Sequence, residues 1–401
     1  MHHTDDVPAS GPRPRLSTLL IEAVVLFCGL RIGLSLLGAF MATQGVPSPC
    51  HFEEALVDWQ TMPELLRDGP AFPLAGVWER WDACWYLKIA TYGYEPGERS
   101  VAFFPLFPAA VRLAGTITGL PYPVAGMIIS GAAYVVAITG LLRLVSDGLG
   151  FAVARRTALL LSVFPAAFFL LAPFTESLFL ATAVWSLVLA RERRWPLAAA
   201  CAVLAGLTRA QGLLLVIPLA WEAFVAVRET GFRSPRAFWQ AGWSAAAVLA
   251  PAVAFGGYGL VAHAVIGETP YDAQSLWGGT NFHPPWALVA ASVGWIVERG
   301  DGMQALNLVA ILGAAALLVA GARRMPLTYS LYAWPPLILI ATRIQPTPLT
   351  ATTRFVLVMF PVFVVAALLT QHPWLQRAWL VISLIFLGVL ATMFLQGDFV
   401  A

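Results

Sequence analysis

Charge is what this chain has least of. Only 11% of its 401 residues are charged, less than half the roughly 25% of an ordinary soluble domain, while 59% are hydrophobic. With a mean hydropathy of +0.75, that balance excludes a soluble enzyme and indicates a polytopic membrane protein. Lysine is nearly absent, occurring once at Lys88 against 23 arginines, and the net charge is +2. No basic run is long enough to track a phosphate backbone, so nucleic acid is not expected as a partner. Cysteine is scarce too, and the four present show no zinc-site spacing. Cys28 and Cys201 fall in apolar runs, whereas Cys50 and Cys84 share one polar stretch. In an oxidising compartment that pair can form a disulfide; two unpaired thiols are the alternative, because sequence fixes no Cα separation. The leading His2 and His3 lack the further ligands a metal needs.

No cleavable signal peptide is expected either. The polar, proline-rich residues 1–15 read as a disordered cytoplasmic tail, and the apolar run from Leu16 to Met41 is too long for a signal-peptide core, so it reads as a retained first helix. A spanning helix needs about 20 apolar residues. Apolar runs at 16–41, 122–145, 157–173, 175–190, 196–208, 211–227, 238–262, 303–321, 326–342, 353–370 and 377–396 predict an all-α polytopic bundle of about 11 transmembrane helices in one integral membrane catalytic domain, residues 1–401. Residues 42–121 form a first extracytoplasmic loop and residues 263–302 a second. Phe103–Gly119 and Trp286–Val297 are expected to lie in the interface as amphipathic helices.

Sidedness follows from arginine. Arg13, Arg15, Arg143, Arg155, Arg156, Arg191, Arg193, Arg194, Arg228, Arg233, Arg236, Arg323, Arg324 and Arg377 all fall on one face of this topology, which makes that face cytoplasmic. The two apolar arms within Pro196–Val227 are each short for a bilayer and have basic flanks at both outer ends, so the chain must turn near Leu207-Thr208-Arg209-Ala210. Arg209 then sits within or just under the outer leaflet, where a charge needs a partner or a wet cavity.

The opposite face collects Asp82, Glu176, Arg209, the stretch from His263 to His283, and Arg343 with Arg354, and Arg31 is placed to join them. Two carboxylates and several arginines on one outer face suit a phosphate-bearing lipid, because arginine binds phosphate bidentately and more strongly away from water. Each residue has a plainer reading. Asp82 can pair with Arg80 or Lys88 as a loop charge; Glu176 can cap the helix behind it; Arg209 and Arg354 can be structural partners of those acids. His263 and His283 fit interfacial or core positions, and Trp81, Trp85, Tyr86, Tyr92 and Tyr94 fit a membrane-interface belt, with sugar stacking as the alternative.

The motifs WDACWYLKIATYGY, AFFPLFPAAVRL, FPAAFFLLAPFTESLFLA, AGLTRAQGLLLVIPL and TRFVLVMFPVF, in this order and approximate spacing, resemble the PIG-V family, the second GPI mannosyltransferase and its bacterial relatives. The resemblance runs from about Arg80 to Phe363. It implies a GT-C-type multi-helix glycosyltransferase that takes a sugar, usually mannose, from a polyprenyl-phosphate carrier, with its active site on the lumenal or periplasmic face. By similarity Asp82 is the catalytic base, Glu176, Arg209 and Arg354 lie on family motifs, and PYDAQSLWGGTNFHPPW points to Gln274, Trp277, His283 and Trp286; Trp81 precedes the base. Cys84 departs from the residue many relatives carry, so a Cys50–Cys84 disulfide would belong to a subset. The compact, arginine-rich chain resembles bacterial members, which places it in a bacterial inner membrane and leaves the acceptor, a glycolipid or glycan, open.

The implied chemistry is an inverting single displacement. Phosphate is already a good leaving group, so one base plus positive charge suffices where glycoside hydrolysis needs two carboxyls. No cofactor is required on this reading, and no outer-face carboxylate cluster of the DxD kind is present to argue for a divalent metal. The rival readings are a membrane transporter or lipid flippase, against which stands the lack of a visible inverted repeat, and a catalytically inactive assembly subunit.

Overall fold

The structure is a computed structural model describing residues 14–47, 50, 66, 69–231, 234–275, 282–343 and 347–400. Among these residues there is no β-strand, only an isolated bridge between Phe282 and Arg343. The helices are α1 (Leu16–Thr43), α2 (Asp82–Tyr92), α3 (Leu106–Thr118), α4 (Tyr122–Leu149), α5 (Phe151–Ser162), α6 (Glu176–Arg191), α7 (Trp195–Gly206) and α8 (Val216–Thr230). They continue with α9 (Pro235–Ile266), α10 (Pro270–Ser275), α11 (Pro285–Arg299), α12 (Gly302–Gly321), α13 (Leu327–Thr342), α14 (Thr352–Leu357), α15 (Phe360–Leu369) and α16 (Pro373–Leu395). Proline in the first turn, where its missing N–H leaves no bond unmade, opens α4, α7, α9, α11, α15 and α16.

Among the described residues, six helices are long and apolar enough to cross a bilayer: α1, α4, the run Ala210–Thr230 that contains α8, α9, α12 and α16. The integral membrane character expected from composition therefore holds, while several of the eleven expected spans are shorter or broken. The run expected at 157–173 stops being α-helical at Ser162, because Pro165 and Pro173 each remove a backbone donor; the segment passes through a 3-10 turn at Ala167–Leu170. The run at 353–370 divides into α14 and α15 around Pro361. Both breaks are buried, with Phe168, Phe169, Leu357 and Phe360 at 0 to 1% exposure, so irregular backbone here is sheltered by protein rather than facing lipid.

The core packs α4 against α1, α5 and α6, and α7 against α6 and α9. At one end of this bundle, ion pairs join Arg155 to Glu22 (3.0 Å), Arg143 to Glu192 (2.9 Å), Arg191 to Glu222 (3.0 Å) and Arg193 to Glu229 (2.5 Å). Glu222 also accepts from the Thr328 hydroxyl at 2.5 Å, which brings α13 into the same network. The C-terminal ends of α4, α6 and α8 and the N-terminal ends of α1, α5 and α13 thus share one side, as the arginine distribution implies. Glu176 opens α6 at its other end, 15 residues from Arg191, or roughly 22 Å along the helix at 1.5 Å per residue.

On that far side the two segments expected to lie in the interface are helical, as α3 and α11. The two stretches expected to be extracytoplasmic also meet each other: α10 lies on the 3-10 turn Ser100–Ala102, the Gly97 N–H donates to Glu268 Oε1 at 2.9 Å, and Tyr258 donates to the Val101 carbonyl at 2.8 Å. Cys50 and Cys84 are disulfide-bonded, with Cα atoms 5.6 Å apart, and close the first of these stretches onto α2.

Candidate active site

Four charged side chains from four distant parts of the chain form one connected chain of hydrogen bonds. Arg354 donates from Nη1 to Asp82 Oδ2 at 2.5 Å and from Nε to Glu176 Oε1 at 2.5 Å. Arg209 donates from Nη1 to the same Glu176 oxygen and to the Thr175 hydroxyl at 3.2 Å, and from Nε to Gln211 Oε1 at 3.3 Å. Two carboxylates and two guanidiniums sum to no net charge, and their mutual pairing is what makes this burial tolerable. Glu176 is wholly buried and both arginines nearly so, whereas the Asp82 side chain is 32% exposed. Asp82 is therefore the member of the cluster that meets the outside. The second Glu176 oxygen, Oε2, is buried and accepts no hydrogen bond among the described residues.

Local structure fixes each of these positions. Glu176 begins α6 directly after Pro173-Phe174-Thr175, and an acid in a first turn is favoured by the helix dipole. Among the described residues the carboxylate caps no backbone N–H, however: Oε1 accepts from the two arginines, so the contacts match the arginine-partner reading rather than the cap reading. Arg209 sits in extended backbone, φ −155° and ψ 153°, between α7 and the 3-10 turn Ala210–Leu215, so the chain turns at the expected residues. That turn is tight enough to require glycine: a Cβ on Gly212 would lie 2.3 Å from the Ala205 carbonyl oxygen. Arg354 lies on α14, which is pinned to α12 because Asn307 Oδ1 accepts from the Thr353 N–H at 3.1 Å and its hydroxyl at 2.8 Å.

Asp82 is the first residue of α2, and Trp81 before it has φ 52° and ψ −124°, a conformation few residues with a side chain adopt. The indole is held by its Nε1–H to the Asp398 carbonyl at 3.0 Å and by the ring of Phe399, edge-on at 4.9 Å. Arg80 donates to the carbonyls of Pro47 (2.7 Å) and Leu395 (3.3 Å). Burial brings its guanidinium down to about 10, partly offset by Glu79. Neither loop cation takes Asp82, since Lys88 pairs with Glu98 at 2.5 Å and Glu95 at 3.8 Å.

Several participants were read otherwise from sequence or not at all, Tyr86 as part of an interface belt. Tyr86, one turn after Asp82 on α2, places its hydroxyl 3.4 Å from that of Thr175; burial, with a smaller contribution from Asp82, pushes the phenol up to about 12. The i, i+4 spacing was the available signal. The Arg354 guanidinium lies over the rings of Phe174 (4.8 Å) and Phe169 (5.0 Å), and that of Arg209 over Phe355 (5.5 Å), contacts that favour a cation where water is excluded. Beside Phe355 and Gln211 a small apolar pocket opens, lined further by Leu214, Tyr332 and Ile340.

Other expected residues stand apart. Arg31 does not join the cluster: its Nη2 donates to the Leu74 carbonyl at 3.2 Å and points at Met127 Sδ at 3.7 Å. Gln274, on α10, and His283, whose backbone N–H donates to the Thr342 carbonyl at 2.7 Å, make no hydrogen bond or ion pair to it. Trp277 lies outside the described residues. Among the described residues no group of three or more His, Cys, Asp and Glu is arranged to hold a metal.

Comparison with known proteins agrees with the motifs. Residues 62–222 match the family model described as mannosyltransferase (PIG-V), so the resemblance holds over a stretch that contains Asp82, Glu176 and Arg209 and ends before Arg354. No curated protein matches the chain. Among solved structures it is similar to the Archaeoglobus fulgidus oligosaccharyltransferase in complex with zinc and sulfate, at 13% identity and a TM-score of 0.44 over 95% of this chain and 53% of that one. The same enzyme tethered to an acceptor peptide containing the NVT sequon gives 11% identity and a TM-score of 0.43 over 93% and 55%. The chain spans about half the length of those structures.

Proposed function

We propose that this PIG-V-like membrane protein is a GT-C-type glycosyltransferase that moves a sugar, by family habit mannose, from a polyprenyl-phosphate carrier to the hydroxyl of an extracytoplasmic glycolipid or glycan. The observation that carries the reading is the Asp82–Arg354–Glu176–Arg209 chain, an exposed carboxylate backed by two buried guanidiniums. Asp82 accepts the proton of the acceptor hydroxyl as that oxygen attacks the anomeric carbon. The bond from that carbon to the phosphate oxygen breaks, and polyprenyl phosphate leaves with the electron pair, so one displacement inverts the centre. Arg209 and Arg354 stabilise the charge that grows on the phosphate. Without donor, Arg354 is held by Asp82; a phosphate competing for Arg354 frees an oxygen of Asp82 to receive the acceptor hydroxyl. Glu176 holds both arginines in place, and its unpartnered Oε2 is an acceptor for a substrate hydroxyl. The apolar pocket beside Phe355 suits the start of a prenyl chain.

The cluster lies at the end of the bundle opposite the arginine-rich girdle, which under the positive-inside rule supports an extracytoplasmic site, in this proposal that of a bacterial inner membrane, and a disulfide two residues beyond Asp82 fits an oxidising side. Incubating purified protein with labelled polyprenyl-phosphate mannose and a membrane extract tests the reading. Label in a new glycosidic bond, lost in Asp82→Asn, supports it; label that crosses a vesicle membrane without a new bond makes the protein a transporter instead.

A further inference from the structure

Arg31 presents a problem the transfer reaction does not solve. It lies mid-way along α1, a helix long and apolar enough to span a bilayer, where an unpaired charge is costly and marks function by default. Every arginine of the candidate active site has a carboxylate; Arg31 has none among the described residues, only the Leu74 carbonyl and the weak contact to Met127 Sδ. A guanidinium carries five donors, so most of its hydrogen-bonding capacity is unused.

The unused donors border a cavity of about 490 Å³ in which, among the described residues, Arg31 is the only polar one. Its apolar walls come from Phe27 on α1, Met127, Ile128 and Ala132 on α4, Leu74 in the stretch after the first helix, and Leu171. The volume lies in the range of sites that bind small molecules, about 300 to 1,000 Å³. The cavity opens toward lipid: Ile128 is 54% exposed, and Val24, Val25 and Ile32 on α1 are exposed as well. It is separate from the active site, because α4 stands between them. Gly126 and Ser130 of α4 face the other way, Gly126 against Pro173 and the Ser130 hydroxyl donating to the Phe174 carbonyl at 3.2 Å. Gly131 lets the Phe27 ring lie close against α4, since a Cβ there would come within 2.9 Å of it.

We infer that this groove between α1 and α4 is a binding site for an anionic phospholipid of the surrounding bilayer, with its phosphate on Arg31 and an acyl chain along Phe27, Met127 and Ile128. Charge complementarity decides the occupant: a neutral apolar chain would leave the guanidinium unpaired, whereas a phosphate takes two of its donors at once. Capping the Leu74 carbonyl explains one hydrogen bond of Arg31 but neither the remaining donors nor the cavity. The inference is independent of the proposed transfer chemistry, because no residue of the groove is in the Asp82–Arg354 cluster.

The test is native mass spectrometry of the full chain released from nanodiscs, titrated with phosphatidylglycerol or phosphatidylcholine. Phosphatidylglycerol is expected to be retained in preference to phosphatidylcholine. Arg31→Gln, which keeps a donor for Leu74, is expected to weaken that retention about tenfold or more, the scale of a lost hydrogen bond to a charged group. Ala132→Phe, which fills the cavity and leaves Arg31 intact, is expected to abolish it, and it decides the matter should Arg31→Gln fail to fold. Equal retention of the two lipids, or wild-type retention by a folded variant, overturns the inference. So does displacement of phosphatidylglycerol by polyprenyl phosphate, which would make the groove part of the donor site.

Discussion

Arg354 Nη1 and Asp82 Oδ2 lie 2.5 Å apart although 272 residues separate them in the chain. The pair joins the exposed end of the cluster to its buried end, and the stretch that matches the family model supplies only one half of it. Whatever Asp82 does is therefore conditional on α14 being seated on α12.

Asp82→Asn is expected to lower transfer by about 10² to 10⁴-fold, the usual worth of a positioned general base, while the protein elutes as a monodisperse species with a melting temperature close to wild type. The amide keeps an oxygen for Arg354 and cannot take a proton in the same way. Transfer within a few-fold of wild type would remove Asp82 from the chemistry.

Glu176 is wholly buried between two guanidiniums, so Glu176→Leu strands the buried Arg209 and leaves Arg354 with Asp82 alone, and is expected to cost about 3 to 5 kcal/mol. The double variant Glu176→Leu/Arg209→Met removes a charge of each sign and is expected to recover much of that loss in thermal unfolding. Activity is expected to stay absent in the double variant, because the phosphate has lost a guanidinium. Recovered activity together with recovered stability would make Arg209 purely structural.

Cutting the Cys50–Cys84 disulfide, which spans 34 positions of sequence, is expected to destabilise the stretch between α1 and α2 by about 3 kcal/mol. Cys84→Ala should unfold at lower temperature, and reductant should bring the wild type down to the same value. Alkylation of the denatured, unreduced wild type should label two thiols, Cys28 and Cys201; four labelled thiols would exclude the bond.

Gly212→Ala is expected to impair folding even though alanine is apolar and small. Its Cβ meets the backbone of Ala205 and Gly206 rather than a movable side-chain tip, so the turn presenting Arg209 must deform, at a cost of about 1 to 3 kcal/mol or more. Gly256→Ala, with open space around its Cβ, is the control and should behave as wild type in expression and thermal unfolding.

Much of the site was legible because its logic is coarse. Arginines collect on one side of a membrane, and the acids and arginines left on the other side, Asp82, Glu176, Arg209 and Arg354, have few ways to be buried except together. The turn at Arg209 followed from two arms read as short, although the second, Ala210–Thr230, is long and apolar enough to cross once its 3-10 start is included. What was not legible depends on tertiary placement. Hydropathy reads the stretches before Glu176 and around Arg354 as continuous spans, because buried breaks at Pro165, Pro173 and Pro361 are as apolar as helix. The same blindness put Arg31 with the site: its depth on α1 was evident, but not that α4 stands in between. The rings of Phe169 and Phe174 under Arg354 sit in a phenylalanine-rich run where nothing marks the two that matter.

The tethering of Trp81 and Arg80 to the carbonyls of Asp398 and Leu395 makes the chain's last turns a mechanical tensioner for the loop that carries the exposed carboxylate. Trp81→Phe, which gives up the hydrogen bond to the Asp398 carbonyl, would slacken that loop while leaving the carboxylate itself in place.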